Sequence, residues 1–214
     1  MKRKKMMRQI IRMILILCFF AFQKNIYCQN TEDELIVEIS NFKCIDSLEK
    51  RFTCTQLSDV QRTFFFLKKY ELTKKSNVDI LKLIPKNEEE YNRLFQYLYS
   101  ENEMIREMIL HYFDVICISL ENNTNEISYI IDFINLLNFV DGFIATDYKD
   151  VFSKILKTNT STILKGITKA KTKERCLLFI LDYFDETSIK EKNRVLRIAK
   201  KIFDRNDYNK IASY

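Results

Sequence analysis

The sequence predicts an all-α fold on three observations. Gly142, Gly166 and Pro85 are the whole glycine and proline complement, too few for the turns of an all-β chain or the glycine-rich loops of nucleotide folds. Apolar residues recur three and four apart almost throughout, the period of one helix face. Helix-start signals punctuate that pattern. Asn87 before Glu88-Glu89-Glu90 is an N-cap with acidic charge on the positive end of the helix dipole. Ser100-Glu101-Asn102-Glu103 and Ser188-Ile189-Lys190-Glu191 match capping boxes. The architecture expected is about ten helices, either stacked antiparallel helical hairpins in a solenoid-like array or an irregular helical bundle.

Residues 1–28 are read apart from that fold. Met1 to Arg12 carries Lys2, Arg3, Lys4, Lys5, Arg8 and Arg12; the apolar run Met13 to Phe22 follows, and the exit through Tyr27-Cys28-Gln29 is polar. A basic start, a short apolar core and a polar exit are the parts of a secretory signal peptide. At ~1.5 Å rise per residue the run falls well short of a ~30 Å hydrocarbon layer, so no permanent membrane span is expected. Leu17 before Cys18 and Tyr27 before Cys28 match a lipoprotein acylation site poorly, since that site takes a small residue there. Cleavage near Cys28/Gln29 leaves 29–214 as a single helical domain, exported to the periplasm or the exterior and long enough to bury a sizeable core.

Within that domain the spacing predicts helices at 32–51, 56–73, 78–84, 88–99, 101–119, 125–141, 147–157, 160–170, 173–185 and 188–204. Pro85 stops the third, because the residue before proline is pushed out of the α region, and Asn87 starts the fourth. The fifth carries the clearest stripe: Ile105, Met108, Ile109, Tyr112, Phe113 and Ile116. Ile127 to Val140 and Cys176 to Phe184 are apolar on most faces, so both are expected to pack on several sides. The last helix buries Val195, Ile198, Ala199, Ile202 and Phe203. Short connections make sequential helices antiparallel neighbours.

The chain carries 35 basic and 29 acidic residues. Seven of the basic ones precede Gln29, which leaves 28 against 29 and removes the surplus that nucleic-acid binding needs. The remainder is uneven: 12 basic and 20 acidic from Gln29 to Ala145, against 16 and 9 from Thr146 to Tyr214. Such a dipole steers a partner or orients neighbouring copies, or it coats solvated helix faces.

A faint internal repeat runs through the helices. Leu83-Ile84-x-x-Asn87 aligns with Ile155-Leu156-x-x-Asn159 at an offset of 72. After one gap Glu103 aligns with Glu174, and Ile109-Leu110-x-Tyr112-Phe113-Asp114 with Ile180-Leu181-x-Tyr183-Phe184-Asp185. That offset is two units of roughly 36 residues, a helical-hairpin length. In period and layout, over about 77–204, the chain resembles the HEAT/armadillo class of α-solenoids, and the resemblance implies an extended concave side for contacts with a partner.

Residues that carry chemistry elsewhere are thinly spread here. Of the four cysteines after residue 28, Cys44 and Cys54 straddle the turn expected between the first two helices, so in an oxidising compartment they are candidates for a disulfide; the alternative is two independent thiols. Cys117 and Cys176 fall in apolar helix segments and read as buried free thiols. Without a CxxC or a Cys/His cluster no zinc site is expected. His111, the one histidine, lies off the apolar stripe; Glu107 one turn earlier is a possible orienting acid, but no nucleophile is identifiable. Glu88 to Glu90 are explained by the helix start, and Asp182 and Asp185 lack any accompanying sugar-binding pattern. Asn122-Asn123-Thr124 and Asn159-Thr160-Ser161 match the glycosylation pattern, which matters only in a eukaryotic secretory pathway.

The aromatic runs are the remaining candidates. Phe64-Phe65-Phe66 spans more of a helix than one buried stripe needs, and Tyr91, Phe95, Tyr97, Leu98 and Tyr99 cover two faces. Such residues sit between layers or form a partner surface, which makes Phe65, Tyr91, Tyr97 and Tyr99 the candidate partner-binding residues. The leading expectation is an exported, non-catalytic helical-repeat module that binds a protein partner at the cell envelope, without cofactor or metal. A toxin-neutralising immunity-type protein is a sharper form of it. A hydrolase with carboxylates dispersed over several helices and a carrier of an apolar ligand are the other classes.

Overall fold

The computed structural model describes residues 32–123, 126–140 and 142–213. The expected signal peptide, 1–28, lies outside them, as does Thr124 of the first glycosylation pattern. Among the described residues there are twelve α-helices and no strand. In order they are α1 (32–41), α2 (Ile45–Phe52), α3 (Asp59–Thr73), α4 (Glu88–Phe95), α5 (Glu103–Leu110), α6 (Tyr112–Asn122), α7 (Ile127–Leu136), α8 (Gly142–Thr158), α9 (Thr160–Ile167), α10 (Lys173–Glu186), α11 (Ile189–Ala199) and α12 (Arg205–Ala212). Two 3₁₀ segments, Val78–Leu83 and Gln96–Tyr99, complete the set. No helix among the described residues is long and apolar enough to cross a membrane.

The differences from the ten expected segments have local causes. The helix expected over 32–51 breaks at 42–44, where Ser40 Oγ and Asn41 Nδ2 both donate to the carbonyl of Val37, at 2.8 and 2.9 Å. Such side chains compete with the backbone for its acceptors. The segment expected over 78–84 is 3₁₀, and Ile84 before Pro85 is extended (ψ 124°). The helix expected over 101–119 divides at His111, whose N–H is shared between the carbonyls of Glu107 and Met108. No residue is inserted there, so the apolar stripe continues through the break. The helix expected over 188–204 ends at Ala199; Asp204 then caps α12 by accepting from the Asp207 N–H at 2.9 Å.

Caps follow the sequence with two changes. Asn87 accepts from Glu90 N–H at 2.9 Å, as its N-cap position requires. Asn102, not Ser100, caps α5; Ser100 Oγ accepts from the Asn102 N–H one step earlier. Ser188 caps α11, but the Glu191 carboxylate turns away to accept from the Tyr183 hydroxyl and Arg194. A full capping box forms instead between Ser58 and Gln61 at the start of α3.

From α6 onward the packing alternates. α6, α8, α10 and α12 form one row, each against the next, and α7, α9 and α11 form a second, with α8–α9 and α11–α12 joining the rows. Polar cross-links repeat with the same step. Thr158–Glu121, Lys149–Glu186, Lys171–Asn135, Thr172–Ile134, Arg175–Leu137, Arg194–Lys157, Lys173–Asp207 and Lys210–Glu174 join residues 34 to 38 apart. That is one helical pair, half the offset found in the sequence. Gly166 sits where α9 crosses α7: a Cβ there would lie 2.6 Å from Ile130 Cγ2.

The N-terminal part is built differently. α3 lies against α2, α5, α6 and the first 3₁₀ segment. α1 is held by contacts far along the chain: Glu32 with Arg93 at 3.1 Å, 61 residues away, and Asp33 with the Tyr97 hydroxyl at 2.5 Å, 64 away. An aromatic chain joins the two parts, with Phe95 stacked on Phe113, Phe113 edge-on to Tyr148, and Tyr148 stacked on Phe133 at 4.7 Å.

Candidate functional site

A groove of about 630 Å³ opens where α3, α5, α6 and α8 meet. Seven of its lining residues are exposed and make its rim: Lys43, Glu71, Lys74, Glu107, His111, Asp114 and Lys154. Six are buried or half-buried and make its inner wall: Leu67, Lys68, Tyr70, Met104, Met108 and Ile118. Five of those six are apolar or aromatic. The sixth is Lys68, whose residue exposure is 2 %.

Each wall residue is placed by its helix. Phe64, Leu67 and Lys68 share the inward side of α3 by i,i+3 and i,i+4 spacing, so a lysine falls where the core stripe would continue. Its ammonium donates to Glu71 at 2.8 Å, one turn on. Among the described residues Glu71 is the one acceptor of that ammonium, which has three N–H donors. Lys74 ends α3 in the left-handed region (φ 55°), and its ammonium lies 5.7 Å from the Tyr70 ring centre. Met104 and Met108, one turn apart on α5, give the floor two flexible, polarisable side chains.

The rim holds the groups that acid–base chemistry would call on, but they stand in water. His111 Nδ1 is 3.5 Å from Asp114 Oδ2, and the two side chains are 70 % and 72 % exposed. Among the described residues no serine, threonine or cysteine lines the groove. Cys117, on α6 beside Lys154, has its thiol pushed up to about 11 by burial, and the Lys154 ammonium offsets part of that. A protonated, buried thiol is a poor nucleophile. Among the described residues no group of three or more His, Cys, Asp or Glu is placed to hold a metal ion. The arrangement is suited to holding a ligand by contact and charge.

The residues singled out from the sequence are scattered. Phe65 is half-buried between Phe52 and Phe66, with ring centres 6.2 and 5.5 Å apart. Tyr91 and Tyr97 are in the core rather than on a partner face. The turn to 3₁₀ geometry after Phe95 brings Tyr97 edge-on to Phe64, while Phe95 faces Tyr112 and Phe113. These aromatics therefore fill the space between α3 and α6. Tyr99 alone of the four is well exposed, at 89 %, and Leu178 and Ile189 are exposed at 62 % and 79 %.

Cys44 and Cys54 are both free and exposed. The whole of α2 lies between them, where the sequence suggested a turn. Eight helical residues at ~1.5 Å each hold the ends roughly 12 Å apart, whereas a disulfide needs Cα atoms within about 7 Å. Cys117 and Cys176 are buried free thiols. The groove itself was not legible in advance, although a lysine four residues after Phe64 on a core stripe was a usable signal.

No family model, curated protein or solved structure matches the chain.

Proposed function

We propose that the chain is an exported, non-catalytic stacked-helix module, HEAT/armadillo-like in layout, that binds a protein partner at the cell envelope. The observation that carries this reading is the two-row array of α6 to α12 with its cross-links one helical pair apart. Stacks of this kind build long surfaces whose side chains are free for a partner, because each pair spends its apolar faces on its neighbours. Leu178 and Ile189, on α10 and α11, and Tyr99, after α4, are the most exposed of the large apolar side chains among the described residues and are available for such contacts. Export rests on the signal-peptide reading of 1–28.

The dispersed-site hydrolase draws support from Glu71, Glu107, His111 and Asp114 around the groove. Their exposure counts against it, since catalytic acids and bases are tuned by burial and close partners.

The test is site-specific photo-cross-linking in the native cell. A benzophenone side chain at Tyr99, Leu178 or Ile189 is expected to trap one protein from the envelope fraction, identified by mass spectrometry, and the same group at Met108 is expected to trap none. Turnover of a substrate by the purified chain, with no cross-linked protein from any position, would overturn the proposal.

A further inference from the structure

We infer that the groove between α3, α5, α6 and α8 is a binding site for a small anionic amphiphile, a single carboxylate on an unbranched apolar chain, with Lys68 as the residue that receives the head. The inference goes beyond the protein-binding role and does not depend on which face the protein partner uses. It rests on how charge is divided between rim and wall. Every charged lining residue except Lys68 is exposed, so its field is screened by water and salt. The inner wall is Leu67, Tyr70, Met104, Met108 and Ile118, with one buried cation among them.

A buried ammonium is costly unless its donors are satisfied. Among the described residues Lys68 has one acceptor, Glu71, whose own side chain is about half exposed. A carboxylate entering the groove offers the remaining donors a charge-assisted hydrogen bond at the point where the wall is otherwise apolar. Its chain then lies on the two methionines and Ile118. The volume, about 630 Å³, falls within the range usual for small-molecule sites. The rim carboxylates Glu71, Glu107 and Asp114 disfavour a second negative charge, which restricts the ligand to one; Lys43, Lys74 and Lys154 favour its approach. Neutral and cationic amphiphiles gain the apolar contacts but not the head contact.

The experiment is calorimetric titration of the full chain with decanoate, decanamide and decyltrimethylammonium, below their micelle concentrations. Decanoate is expected to bind at least tenfold more tightly than the other two. Lys68→Met is expected to remove that preference while leaving decanamide unchanged, Lys68→Arg to keep most of it, and Ile118→Asp to weaken all three. A readout that needs no variant is methyl NMR of labelled methionine. Four of the six methionines lie before residue 14, and Met104 and Met108 are the other two. Decanoate is expected to shift those two signals and not the rest. Equal affinity for decanoate and decanamide, a preference that survives Lys68→Met, shifts confined to the leader methionines, or binding of an acidic apolar peptide such as acetyl-Leu-Leu-Asp in place of decanoate would each overturn the inference.

Discussion

The two parts of this molecule close their chains by different rules. In α6 to α12 a residue finds its polar partner 34 to 38 positions away, again and again. In α1 to α5 the separations follow no common step: 13 for Arg51–Glu38, 20 for Lys69–Glu49, 61 for Arg93–Glu32 and 64 for Tyr97–Asp33. A stack with one recurring step needs only nearest-neighbour contacts, so it can be extended or opened from an end. The N-terminal part must bring distant residues together before it gains anything, and loop closure sets the cost. The groove lies where the two regimes meet, with walls from α3 and α5 on one side and α6 and α8 on the other.

The largest effects come from core truncation, and they test whether the parts open separately. Phe64 on α3 and Phe152 on α8 are both fully buried. Replacing either with alanine is expected to cost about 3–5 kcal/mol, read from urea unfolding. Native-state hydrogen exchange should then separate them: Phe64→Ala lowers protection mainly in α1 to α4, and Phe152→Ala mainly in α8 to α12. Uniform loss of protection in both variants would dissolve the distinction.

The next effect is specific to the stack. Gly166→Ala sets a Cβ 2.6 Å from Ile130 Cγ2 and 2.9 Å from Ile134 Cδ1. Ile134 Cδ1 is a flexible tip, but Ile130 Cγ2 branches from Cβ and has little freedom, so α9 must move off α7. The expected cost is about 1–3 kcal/mol, with chemical-shift changes concentrated in α7 and α9. Changes spread evenly over α1 to α5 would contradict a nearest-neighbour stack.

How much of this was legible in the sequence follows the same division. The helical class, the Asn87 cap, the buried Cys117 and Cys176 and a step near 36 residues could be read because each depends on spacing along the chain. The breaks at 42–44 and at His111 could not: at His111 the apolar stripe passes through without an inserted residue, and at 42–44 the helix ends where Ser40 and Asn41 bond the Val37 carbonyl. α12 was hidden for a related reason: Ile202 and Phe203 continue the stripe of α11 past its real end. On a helix running over 88–99 the aromatics Tyr91 to Tyr99 cover two faces, so spacing alone leaves Tyr97 open to a partner; the change to 3₁₀ geometry carries it into the core. The groove joins residues from four helices, and only the position of Lys68 on a core stripe hinted at it.

Single polar cross-links give a smaller contrast. Thr172→Val removes a buried hydrogen bond to the Ile134 carbonyl, 3.0 Å long, and Tyr97→Phe removes the one to Asp33. Each is expected to cost on the order of 1 kcal/mol. Their kinetic signatures should differ: losing a contact 64 residues apart slows folding only if it forms in the transition state, and one late in assembly speeds unfolding instead. Stopped-flow measurement of both rates is the check. A Thr172→Val variant as stable as the parent would mean that the regular cross-links decorate the stack without holding it.

The effect smallest at neutral pH concerns the thiols, which also divide between the parts. Cys44 stands at the N-terminus of α2, where the backbone N–H groups of Ser47 and Asp46 hold its thiol below the ordinary value. It should be alkylated by iodoacetamide before Cys54, and both before any unfolding; a Cys44–Cys54 disulfide would require α2 to unwind. Burial pushes Cys117 up to about 11 and Cys176 up to about 12, from an ordinary 9.0, so both should resist alkylation while folded. Raised folded-state values mean that the unfolded chain gives up these protons first. Their contribution to stability is therefore whole below about pH 9 and lost as the pH climbs toward 11–12. Melting temperature should fall over that window, and should fall less in a variant with Cys117→Ala and Cys176→Ala, while Cys44→Ala leaves the alkaline limb as it is. An alkaline limb indifferent to the buried pair would show that other groups, chiefly tyrosines and lysines, govern stability there.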